Sequence, residues 1–192
     1  MLDRNKFLIV NVSKQSEIKS QILATRANPS EENCLSEDGA FCTQFSYNKT
    51  YLETFYGAEL ELFKQFLQEN GIDPTIDVTT GGIPWVNIYK NGNYFPEHSH
   101  WNSRYSAVHV VQQGANSGAL QFFSKESNSW ITPEVGEGQI IFYAGNVLHR
   151  CSKNTSNSER IICAFSTNFH EDAQIAATGT GYEDATPGGY QG

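Results

Sequence analysis

Positive charge is scarce in this chain: 13 Lys and Arg stand against 21 Asp and Glu, a net charge of −8 over 192 residues. An acidic surface has no general attraction for a phosphate backbone, so nucleic acid is not an expected partner. Long apolar runs are missing as well. The stretch from Phe7 to Val12, FLIVNV, is far short of the roughly 20 residues that cross a bilayer. It also lacks the small-residue cleavage site of a secretory leader, so no membrane association is expected. The protein is expected in the cytoplasm, or in a host cytoplasm or virion if its source is viral. Cysteine is limited to Cys34, Cys42, Cys151 and Cys163, whose spacing matches neither a zinc site nor a CxxC pair. In a reducing compartment they read as free thiols, with Cys163 in an apolar strand. One Met and 18% charged residues exclude a coiled coil.

What the chain has is aromatic rings: 12 Phe, 9 Tyr and 3 Trp, a composition suited to β-structure. Phe7–Val12 reads as a strand, followed by Ile18, Ile22 and Leu23 at helical spacing. Residues 29–50 carry Pro, Gly, Ser and acids and read as a long surface loop. A helix follows, with Thr50 and Glu53 as a capping box and Leu52, Phe55, Leu62, Phe63, Phe66 and Leu67 on one face. Asn70-Gly71 ends it. From Gly81 onward short β-branched and aromatic runs dominate: Trp85–Tyr89, Ser106–Val111, Leu120–Phe123, Gln139–Tyr143 and Arg160–Ser166. Strands this close, without helices between them, predict a sandwich or barrel. Residues 171–192 are small, acidic and Gly-rich and read as a flexible tail.

Four pieces of sequence carry chemistry. Trp85, Asn87 and Tyr89 share one face of a strand, offering an amide and a phenol to a polar ligand. His98 and His100 lie two apart on an extended segment, so both imidazoles reach the same side and one metal ion. The strand Ile140–Ala144 runs through a Gly turn to His149. Arg160 then opens an apolar strand, where an inward-pointing guanidinium needs an anionic partner such as a bound carboxylate. Taken singly, each has a plain structural explanation, such as a core histidine or a strand-end Arg paired with Glu159. Their order along the chain is what is specific.

In that order the residues resemble the Fe(II)- and 2-oxoglutarate-dependent oxygenase superfamily. They are most similar to an oxygenase family of marine bacteria and phages that pairs a Trp-x-Asn-x-Tyr strand with a His-x-His segment. The resemblance runs from Trp85 to Phe169. It implies a mainly β fold with N-terminal helices, a double-stranded β-helix (jelly roll, cupin-like). Residues 1–170 would form one domain, with 1–80 as helical buttress and 81–170 as jelly-roll core. It also implies Fe(II) and 2-oxoglutarate as cofactors. His98 and His149 would be metal ligands, Arg160 the partner of the distal carboxylate, and Asn87 and Tyr89 hydrogen-bonding partners of the cosubstrate. The implied reaction is hydroxylation of a substrate, small molecule or protein, with release of succinate and CO2.

His100 departs from the superfamily, which usually has Asp or Glu there; the metal set becomes His98, His100 and His149. Three neutral imidazoles bring no charge to iron and equally suit Zn²⁺, Ni²⁺ or Cu²⁺. Two other readings follow: a cupin-like metal-binding protein, and a silent jelly roll with a structural or interaction role, as in a viral particle. Nothing in the pattern opposes a homo-oligomer.

Overall fold

The computed structural model describes residues 7–27, 34–35, 41–42, 51–74, 78–80, 84–100 and 103–169. The expected tail, 171–192, lies outside them. In chain order the elements are β1 (Leu8–Asn11), α1 (Gln15–Ala27), β2 (Cys34–Leu35), β3 (Phe41–Cys42), α2 (Leu52–Glu69) and β4 (Val78–Thr80). They continue as β5 (Trp85–Tyr89), β6 (Phe95–His98), β7 (Tyr105–Gln112), β8 (Leu120–Ser124), β9 (Ser129–Ile131), β10 (Gln139–Ala144), β11 (His149–Cys151) and β12 (Arg160–Phe169). All pairings are antiparallel. The larger sheet has eight strands in the order β1-β10-β7-β12-β5-β3-β2, with β4 also on β12; the smaller has four, β6-β11-β8-β9.

Strand alternation explains the layering. On β10, Ile140 and Phe142 face the helices, while Ile141 and Tyr143 face the smaller sheet. On β12, Ile161, Cys163 and Phe165 go to the helix side, and Ile162 and Ala164 to the space between the sheets. By the same parity Arg160 points between the sheets. Two sheets enclosing a core, with helices on the outer face of one, is the double-stranded β-helix that the sequence suggested.

Helix α2 supplies the outer layer. Phe55, Phe63, Phe66 and Leu67 are buried, and Phe66 stacks on Phe142 with ring centroids 5.4 Å apart. Burying each such ring contributes about 1.5–3 kcal/mol. Asn70 and Gly71 stop the helix as expected: Gly71 takes φ +72°, and the Gly71 and Ile72 amides donate to Gln68 and Leu67 carbonyls at 2.9 Å. No helix among the described residues is long and apolar enough to cross a membrane.

Three expectations need correction. The N-cap of α2 is Tyr51, with no side-chain cap; Thr50 is outside the described residues. Instead Tyr51 is buried and its hydroxyl donates to the Pro84 carbonyl at 3.3 Å, so tertiary packing takes the place of the capping box. Residues 29–50 are not all loop, because β2 and β3 pair with one another and β3 adds to β5. Leu23 of α1 is 38% exposed, whereas Ile18 and Ile22 are buried. Cys42, Cys151 and Cys163 are free and buried, in line with the expected thiols.

The helix layer also holds a buried acid. Glu59 lies four residues from both Phe55 and Phe63 on the same helical stripe and is 1% exposed. Its Oε1 is 3.3 Å from Nδ1 of His109 on β7, without hydrogen-bond alignment. Nε2 of His109 is 2.5 Å from Oε1 of Gln15, whose Nε2 donates to the Val111 carbonyl at 2.6 Å. Burial pushes the Glu59 carboxyl up to about 8 and the His109 imidazole down to about 4, so both are neutral at pH 7. The acid's neutral form favours the fold, a contribution complete below its unfolded pKa of about 4.3 and lost as pH rises through 8. The His109 contribution runs the other way, complete above about 6.5 and lost as pH falls through 4. Thermal midpoints of wild type minus Glu59→Gln are therefore expected to fall steadily from pH 5 to about 8 and then level. A flat difference curve would show that Glu59 is already ionised in the fold.

Candidate metal centre

The smaller sheet brings two of the candidate histidines together. β6 and β11 pair so that His98 stands opposite His149, and His149 stands opposite Phe122 of β8 on its other side. His100 lies two residues past the end of β6. Its amide donates to the Gly145 carbonyl at 2.8 Å, and its carbonyl accepts from the Ser103 amide at 2.8 Å. Ligand nitrogens of His98, His100 and His149 all lie within 4.8 Å of one another. The ring centroids are 4.1 Å apart for His98 and His149, and 5.1 Å for each pair with His100.

Backbone carbonyls set the tautomers. Nδ1 of His98 is 2.9 Å from the Pro96 carbonyl, and Nδ1 of His149 is 2.9 Å from the Val147 carbonyl. A carbonyl can only accept, so each Nδ1 carries the proton and each Nε2 keeps its lone pair. Burial lowers the pKa of all three rings, that of His100 to about 4 with a further push from His98, and that of His149 well below the ordinary value. Three neutral imidazoles converging on one point form a ligand set for a transition metal.

The other candidates face the same interior. Trp85 sits at the histidine end of β5, its ring 6.1 Å from that of His100. Asn87 is buried with its Oδ1 unpartnered, and Tyr89 is buried at the far end of the strand. Arg160 pairs opposite Tyr89 and is 1% exposed, its guanidinium 5.7 Å from the Tyr89 ring centroid. Nη1 donates to Sγ of Cys151, and Nε has no partner. No carboxylate lies within ion-pair distance of Arg160 among the described residues, so the alternative of a strand-end Arg paired with Glu159 is not seen. Cys151 is two residues beyond His149 on β11, an advance of about 6.6 Å. The guanidinium thus contacts the same short strand that carries His149. An open cleft of about 480 Å³ is lined by Gln113, Leu120, Pro133, Val135 and Arg160 itself.

Two residues at the site went unread in the sequence. Tyr143 of β10 is buried, its hydroxyl 3.2 Å from Nε2 of His149. Its parity with Ile141 was legible, but a phenol in an apolar strand reads as packing. Cys151 read as a thiol and not as the neighbour of Arg160.

Gly145 holds the two halves of the site in place. A β-carbon there would come 2.1 Å from the Ser103 carbonyl oxygen and 2.9 Å from that of His100. Gly145→Ala must therefore push away the segment that carries His100. Zn²⁺ affinity measured by calorimetry is expected to drop at least tenfold, with the far-ultraviolet dichroism unchanged. Unaltered affinity would show that His100 is not held by this contact.

No family model and no curated protein matches the sequence. Solved structures do match in fold. A prolyl hydroxylase from Trichoplax adhaerens, in complex with a hypoxia inducible factor peptide, aligns with TM-score 0.68 at 12% identity, over 90% of this chain and 87% of that one. The viral collagen prolyl hydroxylase of Paramecium Bursaria Chlorella virus-1, a 2OG complex, gives 0.60 at 14%, over 87% and 98%. EctD from S. alaskensis, with 2-oxoglutarate and 5-hydroxyectoine, gives 0.65 at 13%, over 88% and 74%. The chain thus has the double-stranded β-helix fold that these structures share.

Proposed function

We propose that this protein is an Fe(II)- and 2-oxoglutarate-dependent oxygenase. One observation carries the reading: a buried guanidinium without a carboxylate partner shares its interior with a cluster of three neutral histidines. Burying a cation without an anionic partner is costly, and its contacts with Cys151 and Tyr89 supply no negative charge. A bound dicarboxylate removes that cost. A five-carbon 2-oxo acid carries a group for each, its oxo end for the histidines and its distal carboxylate for Arg160.

His98, His100 and His149 hold the metal through their Nε2 or remaining ring nitrogens. Iron there supplies the family's chemistry, oxidative decarboxylation of the 2-oxo acid coupled to hydroxylation of a C–H bond. The chain's own work is positioning and exclusion of water. Arg160 fixes the distal carboxylate by charge-assisted hydrogen bonds, for which Nε is free. Asn87 turns its amide toward the same ligand, and Tyr89 flanks the guanidinium. Phe122 and Tyr143 close the inner wall. Trp85 and His100 are partly exposed, which leaves that end open to a substrate; the acidic surface favours small molecules or proteins over nucleic acid.

His100 in place of a carboxylate favours one second reading, a cupin-like metal protein that uses no 2-oxo acid. Arg160 discriminates between the two. Adding 2-oxoglutarate to the anaerobic Fe(II) protein is expected to produce the weak visible band of a chelated 2-oxo acid. Arg160→Met is expected to weaken that binding at least tenfold, leave metal affinity intact, and keep or raise the thermal midpoint. Absence of the band in wild type sinks the oxygenase reading. A band unchanged in Arg160→Met sinks only the role given to that residue.

A further inference from the structure

Tyr143 is 1% exposed, its ring packed on Phe122 with centroids 4.8 Å apart and its hydroxyl 3.2 Å from Nε2 of His149. Nδ1 of His149 already donates to the Val147 carbonyl, so Nε2 is an acceptor and the phenol must be the donor. That lone pair is the one a metal would take. A metal held by His149 therefore evicts the phenolic proton from its acceptor, deep in an interior where an unsatisfied donor is penalised. No other acceptor for this hydroxyl stands among the described hydrogen bonds. The new acceptor must come with the metal.

We infer that Tyr143 orients ligands at the metal: its hydroxyl donates a hydrogen bond to an anionic oxygen atom bound beside His149, such as the oxo or carboxylate oxygen of a 2-oxo acid. The inference rests on the metal-site reading above. It also bears on His100. With three uncharged imidazoles, the ligand's own oxygen carries the negative charge at the centre, and a fixed donor aimed at that oxygen stabilises it. A phenol held by packing on all sides costs nothing to orient when the ligand arrives.

The test uses the Co(II)-loaded protein and pyruvate, a 2-oxo acid with no distal carboxylate for Arg160 to grip. Binding is read from the visible Co(II) spectrum and does not depend on turnover. Tyr143→Phe is expected to lower pyruvate affinity about tenfold. Co(II) affinity should stay equal or rise, because the hydrogen bond that competes for Nε2 is gone. A merely structural Tyr143 would do the reverse, weakening Co(II) binding and lowering the thermal midpoint while pyruvate affinity stayed unchanged. That outcome overturns the inference. The oxygenase reading fails separately: wild-type protein that binds 2-oxoglutarate no more tightly than pyruvate has no working Arg160 subsite, whatever Tyr143 does. Protein that takes up no Co(II) overturns both.

Discussion

The strands at the centre of the larger sheet are buried on both faces, and most of the molecule follows from that constraint. β7, β10 and β12 pack against helices on one side and against the smaller sheet on the other. Each successive residue must therefore satisfy a different environment. On β12 the helix side takes Ile161, Cys163 and Phe165, an ordinary apolar set. The opposite side takes Arg160, Ile162 and Ala164, which begins with a charge. A one-residue slip would exchange these sets, pressing Arg160 against the aromatic rings of α2. Register is thus fixed by packing, and with it the place of every functional group.

Much of this was legible in the sequence. Strand β5 matches its expected bounds, and β7, β8, β10 and β12 differ from theirs by one to three residues. The pattern worked because those strands are apolar, β-branched and bounded by turns. Elsewhere it failed for physical reasons. β2 and β3 have two residues each, too few for any periodicity to show. Tyr51 replaces a capping side chain through a contact with Pro84, distant in sequence. Glu59 drew no reading of its own, although Phe55 and Phe63, four residues to either side, place it on the buried stripe.

At the site, sequence spacing brought His98 and His100 to one side, but only the pairing of β6 with β11 puts His149 opposite His98. That pairing joins distant segments and leaves no local signature. The same holds for the hydroxyl of Tyr143 and the sulfur of Cys151, each significant only through a neighbour that folding supplies. Residue identity suggested the chemistry; folding supplied the proximity.

Arg160 has a consequence for how this chain changes over generations. A buried guanidinium touching a sulfur and an aromatic ring is a weakness in a structural protein, and substitution by Met or Leu would be free or beneficial to folding. Random drift removes such residues once nothing depends on them. On the function proposed above, an anion in the barrel is what such an arginine answers to, and its loss in a descendant would mark the end of that requirement.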